Sequence, residues 1–229
     1  MPIPNYYRYG DVKEFEPLFL AGKRPVVLKK HTILKNYSSI AETYYYIKKG
    51  LVKVKICHVD GYEKIVCITG AGCIEPFFSF EDHAVWQGSI LCEAYMDIEV
   101  VEFTKKELEK LIGSEPALLK KMYDCAIKRI YSSQFDTLRV LYDEGMKRVC
   151  DFIYYHVNDY KVSHNHKREQ MVITQNDIAS FVGLDRVNVN RIMQQLKSEG
   201  AIEIGRRYIY VKNLEKITKY CSEDMVIGE

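Results

Sequence analysis

The sequence is short of several features at once. No apolar run approaches the roughly 18 residues that a membrane span needs, so a spanning helix is excluded. The opening residues, MPIPNYYRYGDVKEF, lack the basic-then-apolar order of a signal peptide, and a cytoplasmic protein is expected. The seven cysteines (Cys57, Cys67, Cys73, Cys92, Cys125, Cys150, Cys221) include no CxxC pair. Scattered and odd in number, they argue against a disulfide framework or a structural zinc site. Buried, reduced thiols are expected instead. The histidines (His31, His58, His83, His156, His164, His166) do not cluster as metal ligands do, and no metal or other cofactor is assigned. A haem would have only Cys57, His58 or His83 to draw on. No internal repeat or low-complexity tract is present. Net charge is nearly absent too: 33 Lys and Arg face 31 Asp and Glu. Any nucleic-acid surface must therefore come from local clustering.

What is present is a chain of 229 residues, 47% hydrophobic and 28% charged, long enough for one large domain or two modest ones. Its 18 tyrosines suit pockets and interfaces, being apolar rings with a polar end. Between about 26 and 103 the chain reads as short strands: VVLKKHTIL, YYYIKKG, LVKVKICHV, EKIVCIT, ILCEAY and DIEVVEF. LVKVKI alternates apolar with basic, the mark of a strand with one wet face. Lys49-Gly50 and Asp60-Gly61 lie between runs, and Asp-Gly favours a tight hairpin. This spacing predicts a double-sheet jelly roll.

After Phe103 the period changes. Thr104 can cap a short helix, KKELEKLI, and Pro116 opens a long helical segment at no cost in hydrogen bonds. Along it Leu119, Tyr123, Ala126, Ile130, Ser133, Thr137 and Val140 step by 4 and 3 in turn. That heptad seam predicts a parallel homodimer; packing on the chain's own β-domain is the alternative. Gly145 marks a hinge. MKRVCDFIYYHV reads as a further helix and HNHKREQ (164–170) as a polar loop.

The richest stretch is ITQNDIASFVGLDRVNVNRIMQQLKSEGAIEIGRRYIYV, residues 173–211. Thr174 and Asp177 have capping-box spacing. Gly183 ends that helix where positive φ is wanted. Asp185 can cap the next, whose apolar stripe is Val189, Ile192, Met193 and Leu196. Two helices joined by a short Gly turn make a helix-turn-helix. AIEIGRRYIYV follows as a hairpin, a wing, with Arg206 and Arg207 at its tip. Opposite the apolar stripe stand Arg186, Val187, Asn188, Asn190 and Arg191. The second helix of such a unit enters the major groove, where Arg pairs with guanine, Asn with adenine, and an apolar group meets the thymine methyl. Asn188 sits at the margin of this face. Arg206 and Arg207 would serve phosphates. Thr174 and Gln175, opening the first helix, join the DNA-binding set.

The pattern I-T-x-x-x-I-A-x-x-V-G with its following helix resembles the CRP/FNR family of bacterial transcription regulators, and IKKGLVKVKICHVDGYEKIVCITGAGCI is similar to that family's β-domain. The resemblance implies an α+β chain with three parts. A cyclic-nucleotide-binding-like jelly roll (a double-stranded β-helix) occupies 1–115, a dimerisation helix 116–142, and a winged helix-turn-helix 143–229. It implies a homodimer on palindromic double-stranded DNA, a small-molecule effector in the jelly roll, and RNA polymerase as a further partner. Two departures stand out. Cyclic-nucleotide binders of the family carry a Glu for the ribose and an Arg-Ser/Thr-Ala run for the phosphate. Here GAGCIEPFFSF puts Pro76 near the Glu position with Glu75 displaced by one, and WQGSILCEA has Gly88-Ser89 where Arg-Ser would stand. A cyclic phosphate is left without its cation, and a small apolar or aromatic effector is expected at Glu75, Phe77, Phe78, Trp86, Ser89 and Tyr123, the alternative being that the aromatic rings simply fill the core. The closely spaced N-terminal cysteines of the oxygen-sensing branch are missing. The halogenated-phenol-responsive regulators are similar in aromatic content, and also have Val where classical members have Glu on the recognition helix. Val187 there predicts an A·T-rich half-site. The alternatives are a cupin-like small-molecule enzyme and a regulator that needs no effector.

Overall fold

The computed structural model describes residues 6–36, 41–80, 90–164, 170–171, 173–205 and 208–223. It divides into two compact units, one from Tyr6 to Ile130 and one from Tyr131 onward. The division falls inside one long helix.

In the first unit, β1 (Tyr7–Arg8), α1 (Glu16–Leu20), β2 (Val26–Leu28), β3 (Ile33–Lys35), β4 (Thr43–Lys49), β5 (Val52–Cys57), β6 (Glu63–Thr69), β7 (Ile74–Glu75), β8 (Ile90–Ala94) and β9 (Ile98–Thr104) precede α2 (Lys105–Ser114) and α3 (Pro116–Tyr142). The strands form two sheets, ordered β1-β6-β5-β8-β3 and β2-β9-β4-β7. Consecutive strands β4 and β5 belong to different sheets, and Gly50 makes that crossing at φ +92°. A Cβ there would lie 2.7 Å from the Asp97 carbonyl oxygen, so the chain needs glycine for space as well as for conformation. Asp60-Gly61 does end a hairpin: β5 and β6 pair antiparallel, and the His58 N–H donates to the Tyr62 carbonyl at 2.8 Å.

VVLKKHTIL is not one strand. It breaks at Lys29–Thr32, where His31 has φ +69°, and its halves β2 and β3 join different sheets. The segment ahead of it also contributes to the fold. β1 adds to β6 in parallel, and the Phe19 ring stacks on Tyr46 with centroids 4.5 Å apart. Phe19, Tyr44, Tyr46, Phe78 and Phe103 form an aromatic core that Leu108, Ile112, Leu118 and Met122 of α2 and α3 close. The second core, between the sheets, is aliphatic and holds Cys67, Cys73 and Cys92. Burial pushes their thiols up, Cys67 to about 11 and Cys73 to about 12, so they are inert reduced side chains. Thr104 caps α2 in a full capping box with Glu107.

In the second unit, α4 (Gly145–His164), β10 (Gln170–Met171), α5 (Gln175–Val182), α6 (Arg186–Ser198), β11 (Ile202–Ile204), β12 (Ile209–Val211) and α7 (Leu214–Thr218) follow. HNHKREQ is thus bounded by the end of α4 and the start of β10; His166 and its neighbours 165–169 lie outside the described residues. β10, β12 and β11 form a three-stranded sheet in that order. The α4 side chains Val149, Cys150, Phe152, Ile153 and Val157 are buried. So is Asp151, which is held by Arg139 and by the backbone and hydroxyl of Ser222 at 2.8 and 2.7 Å.

His156 is buried in the same helix, and desolvation lowers its pKa to about 3. The unfolded chain therefore binds a proton at mildly acidic pH that the folded chain refuses. Stability is full above about pH 6.5 and falls as pH drops toward 3. Between pH 7 and 5 this one group is expected to remove about 2 kcal/mol. Urea unfolding of the wild type and His156→Phe at both pH values should show a pH dependence smaller by that amount in the variant.

Candidate nucleic-acid interface and effector region

Each end of the two-helix unit is made by a side chain that suits it. Thr174 Oγ1 accepts from the Asp177 N–H at 3.1 Å, and Asp177 accepts back from Thr174. Gly183 closes α5 in the left-handed region at φ +64°. Asp185 caps α6, accepting from the Asn188 N–H at 2.8 Å. Val189, Ile192, Met193 and Leu196 are buried. With that stripe turned inward, Arg186, Val187, Asn190 and Arg191 are exposed and Asn188 is half-buried at their edge. Val187 is 79% exposed, a large apolar group in open solvent among polar neighbours.

The wing is the hairpin β11–β12, with Gly205 N–H donating to the Tyr208 carbonyl at 2.9 Å. Arg206 and Arg207 lie outside the described residues. Thr174, Gln175 and Arg186 line one cleft of about 270 Å³, together with Asn176, Ile204, Gly205 and Tyr208. The hydroxyl of Thr174 is committed to its cap, so what Thr174 contributes to the cleft is shape. Asn176 and Tyr208 were missed by the sequence reading. Tyr208 gave no signal because strand alternation assigns it only a face, and its ring lies across Gly205: a Cβ at 205 would come within 2.3 Å of it.

The residues assigned to an effector are only partly brought together. Glu75, 1% exposed, accepts from the Arg129 guanidinium at 2.9 Å. The same guanidinium lies 4.3 Å over the centre of the Phe77 ring and 3.7 Å from Asp11. Asp11 in turn pairs with buried Arg8 at 2.9 Å. Arg129 Nε has no partner among the described residues. Phe78 packs edge-on against Tyr44 inside the aromatic core and, on its outer side, against the exposed ring of Phe80. Tyr123, 63% exposed, stands with Leu119 and Ile130 on the outer face of α3, apart from the buried stripe Leu118, Met122 and Cys125. Trp86, Ser89 and His83 lie outside the described residues. Arg129, half-buried with its side chain 19% exposed, qualifies the expectation that the β-domain offers an anion no cation. It was legible: Leu118, Met122, Cys125 and Arg129 step by 4, 3 and 4, so the inward stripe of α3 ends on a charge. Lys35 is more deeply buried, donating to the Asn36 and Ile90 carbonyls, with its pKa lowered by burial. Among the described residues no group of three His, Cys, Asp or Glu could hold a metal, and no helix is long and apolar enough to cross a membrane.

Comparison with known proteins agrees with this geometry. Residues 147–220 match the Crp-like helix-turn-helix domain. The cAMP-activated global transcriptional regulator CRP of Salmonella typhimurium is 26% identical over 172 residues, 75% of this chain and 81% of the relative. The solved structure of FixK2 from Bradyrhizobium japonicum superposes with a TM-score of 0.71 at 20% identity, covering 87% of this chain and 98% of the other. Residues 147–220 thus carry a Crp-like helix-turn-helix domain, and the chain around them is similar to regulators of the CRP/FNR type. CprK bound to OCPA has the same fold, with a TM-score of 0.66 at 15% identity over 95% of this chain and 96% of that one. The jelly-roll sheets, long helix and winged helix-turn-helix of this chain are the fold these structures share.

The Gly205–Tyr208 contact yields a direct check. Gly205→Ala is expected to force the Tyr208 ring away, at about 1–3 kcal/mol of domain stability, and to weaken DNA binding. Gly205→Ala combined with Tyr208→Ala removes the collision and should recover most of the stability in thermal unfolding.

Proposed function

We propose that the chain is a homodimeric, sequence-specific DNA-binding transcription regulator controlled by a small aromatic effector. The observation that carries the DNA-reading assignment is the outer face of α6. It presents two arginines, two amides and an exposed valine with no acid among them, on a helix whose opposite face is buried. Such a face pairs with base edges in a major groove. Arg186, Asn190 and Arg191 are assigned to base or nearby phosphate contact, and Val187 to a thymine methyl in an A·T-rich half-site. Asn188, at the edge of this face, is assigned to a base contact there, and Thr174 and Gln175 to the adjoining backbone. Arg206 and Arg207 are assigned to phosphates.

Leu119, Tyr123, Ile130 and Val140 remain exposed along α3. That supports pairing with a second copy along this seam, to match a palindromic operator. RNA polymerase is the further partner a regulator needs. Three functional parts are assigned, with the effector domain at 1–115, the dimerisation helix at 116–142 and the DNA-binding domain at 143–229.

The effector is assigned to the side of the β-domain where Glu75, Phe77 and Arg129 meet, with Phe78, Trp86, Ser89 and Tyr123 as further candidates. A ring with an acidic substituent suits an aromatic wall beside a guanidinium. Cyclic AMP is the second reading, favoured by Arg129 as a half-buried cation. Against it stand Pro76 near the family's Glu position and the Glu75 carboxylate that already holds Arg129.

Binding of the full-length protein to operators selected from random duplexes tests both halves. Arg191→Ala should cost about 1–3 kcal/mol of specific affinity, and unchanged affinity would refute the reading helix. Calorimetric titration with a chlorophenol and with cyclic AMP decides the effector. The account predicts binding of the phenol only, lost in Arg129→Ala. Binding of cyclic AMP alone would reverse the assignment. Full operator affinity with neither compound, unchanged on adding them, would make the protein an effector-independent regulator.

A further inference from the structure

Asp185 does more than cap α6. While Oδ1 accepts the Asn188 backbone N–H, Oδ2 accepts from Asn188 Nδ2 at 2.5 Å. These hydrogen bonds hold the Asp185 carboxyl below its usual pKa, so it is an acceptor only. The end of the Asn188 amide that faces it must therefore be the NH2 group. One of the two flips of the side chain is selected, and Oδ1 is the end left unheld.

A free amide on a reading helix is ambivalent. Its oxygen accepts from the amino group of adenine or cytosine, and its nitrogen donates to the keto oxygen of guanine or thymine. We propose that Asp185 and Asn188 form one reading unit, in which the carboxylate locks the amide oxygen outward so that α6 selects an amino-bearing base over a keto base. Asn188 touches the base; Asp185 is a positioning residue. The lock also accounts for a carboxylate where serine would cap equally well without placing a negative charge beside a polyanion. The proposal rests on α6 lying in the major groove.

The test is operator selection from randomised duplexes by the full-length wild type, Asp185→Ser, Asn188→Ala and the double variant, with binding to unrelated DNA and thermal unfolding measured alongside. The wild type should disfavour keto bases at one position per half-site by on the order of tenfold. Asp185→Ser keeps a capping oxygen; it should flatten that position alone while affinity for unrelated DNA stays level or rises. Asn188→Ala should flatten the same position, and the double variant should add nothing there. If Asp185→Ser weakens all sequences alike and leaves every base preference intact, Asp185 is only a cap and the proposal fails. A wild type that selects no sequence at all overturns the reading helix itself, a failure distinct from a selective wild type indifferent to amino and keto bases.

Discussion

The orientation of α6 depends on one backbone conformation, the left-handed turn at Gly183. With φ at +64°, the chain leaves α5 and enters α6 after only Leu184 and Asp185. An L-residue pays strain in that region, and a Cβ at 183 would also press on Val140 at 3.3 Å and Arg148 at 3.5 Å. Arg148 grips the turn from α4 by donating to the Val182 carbonyl at 2.7 Å and the Gly183 carbonyl at 3.3 Å, satisfying acceptors that the end of α5 leaves open. Gly145 lets this packing close, because a Cβ there would meet Leu184 at 3.2 Å and Ile192 at 3.4 Å. The glycine expected to be a hinge is a point of tight contact at the first residue of α4.

From that turn the rest of the reading surface follows. Fixing the direction of α6 buries Val189, Ile192, Met193 and Leu196, and the helical period then leaves Arg186, Val187, Asn190 and Arg191 outside. Val140, the last position of the α3 seam, is among the groups a Cβ at 183 would meet. The helix proposed to carry the dimer seam therefore reaches the turn between α5 and α6. Toward its other end the same helix supplies Arg129 to Glu75. Burying that pair is costly unless both charges stay matched, so a ligand that competed for Arg129 would act on α3 directly.

The winged helix-turn-helix was legible because its signals are local. Thr174 with Asp177, Gly183 and Asp185 are punctuation whose chemistry works within four residues, and the apolar stripe of α6 follows from period alone. The β-domain was legible as a class and less so in detail. VVLKKHTIL reads as continuous because β-branched residues flank Lys29–Thr32, but His31 takes a positive φ and the halves go to opposite sheets. β1 is two residues long and pairs with β6 some 60 residues away, a partnership no local pattern encodes. The Arg8–Asp11 and Glu75–Arg129 pairs bring together residues from three distant stretches. Only Arg129 carried a hint, as the charged fourth step of an inward stripe. Tyr208 over Gly205 is a matter of ring placement, which alternation cannot show.

The central claim is that the outer face of α6 reads base edges in a major groove. Replacing single thymines of a selected operator by deoxyuridine tests it most directly, since the change deletes one methyl group in that groove and nothing else. The account predicts one thymine per half-site whose replacement costs the wild type about 0.8 kcal/mol and costs Val187→Ala nothing. Equal loss in both proteins, or no sensitive thymine in either, would contradict it.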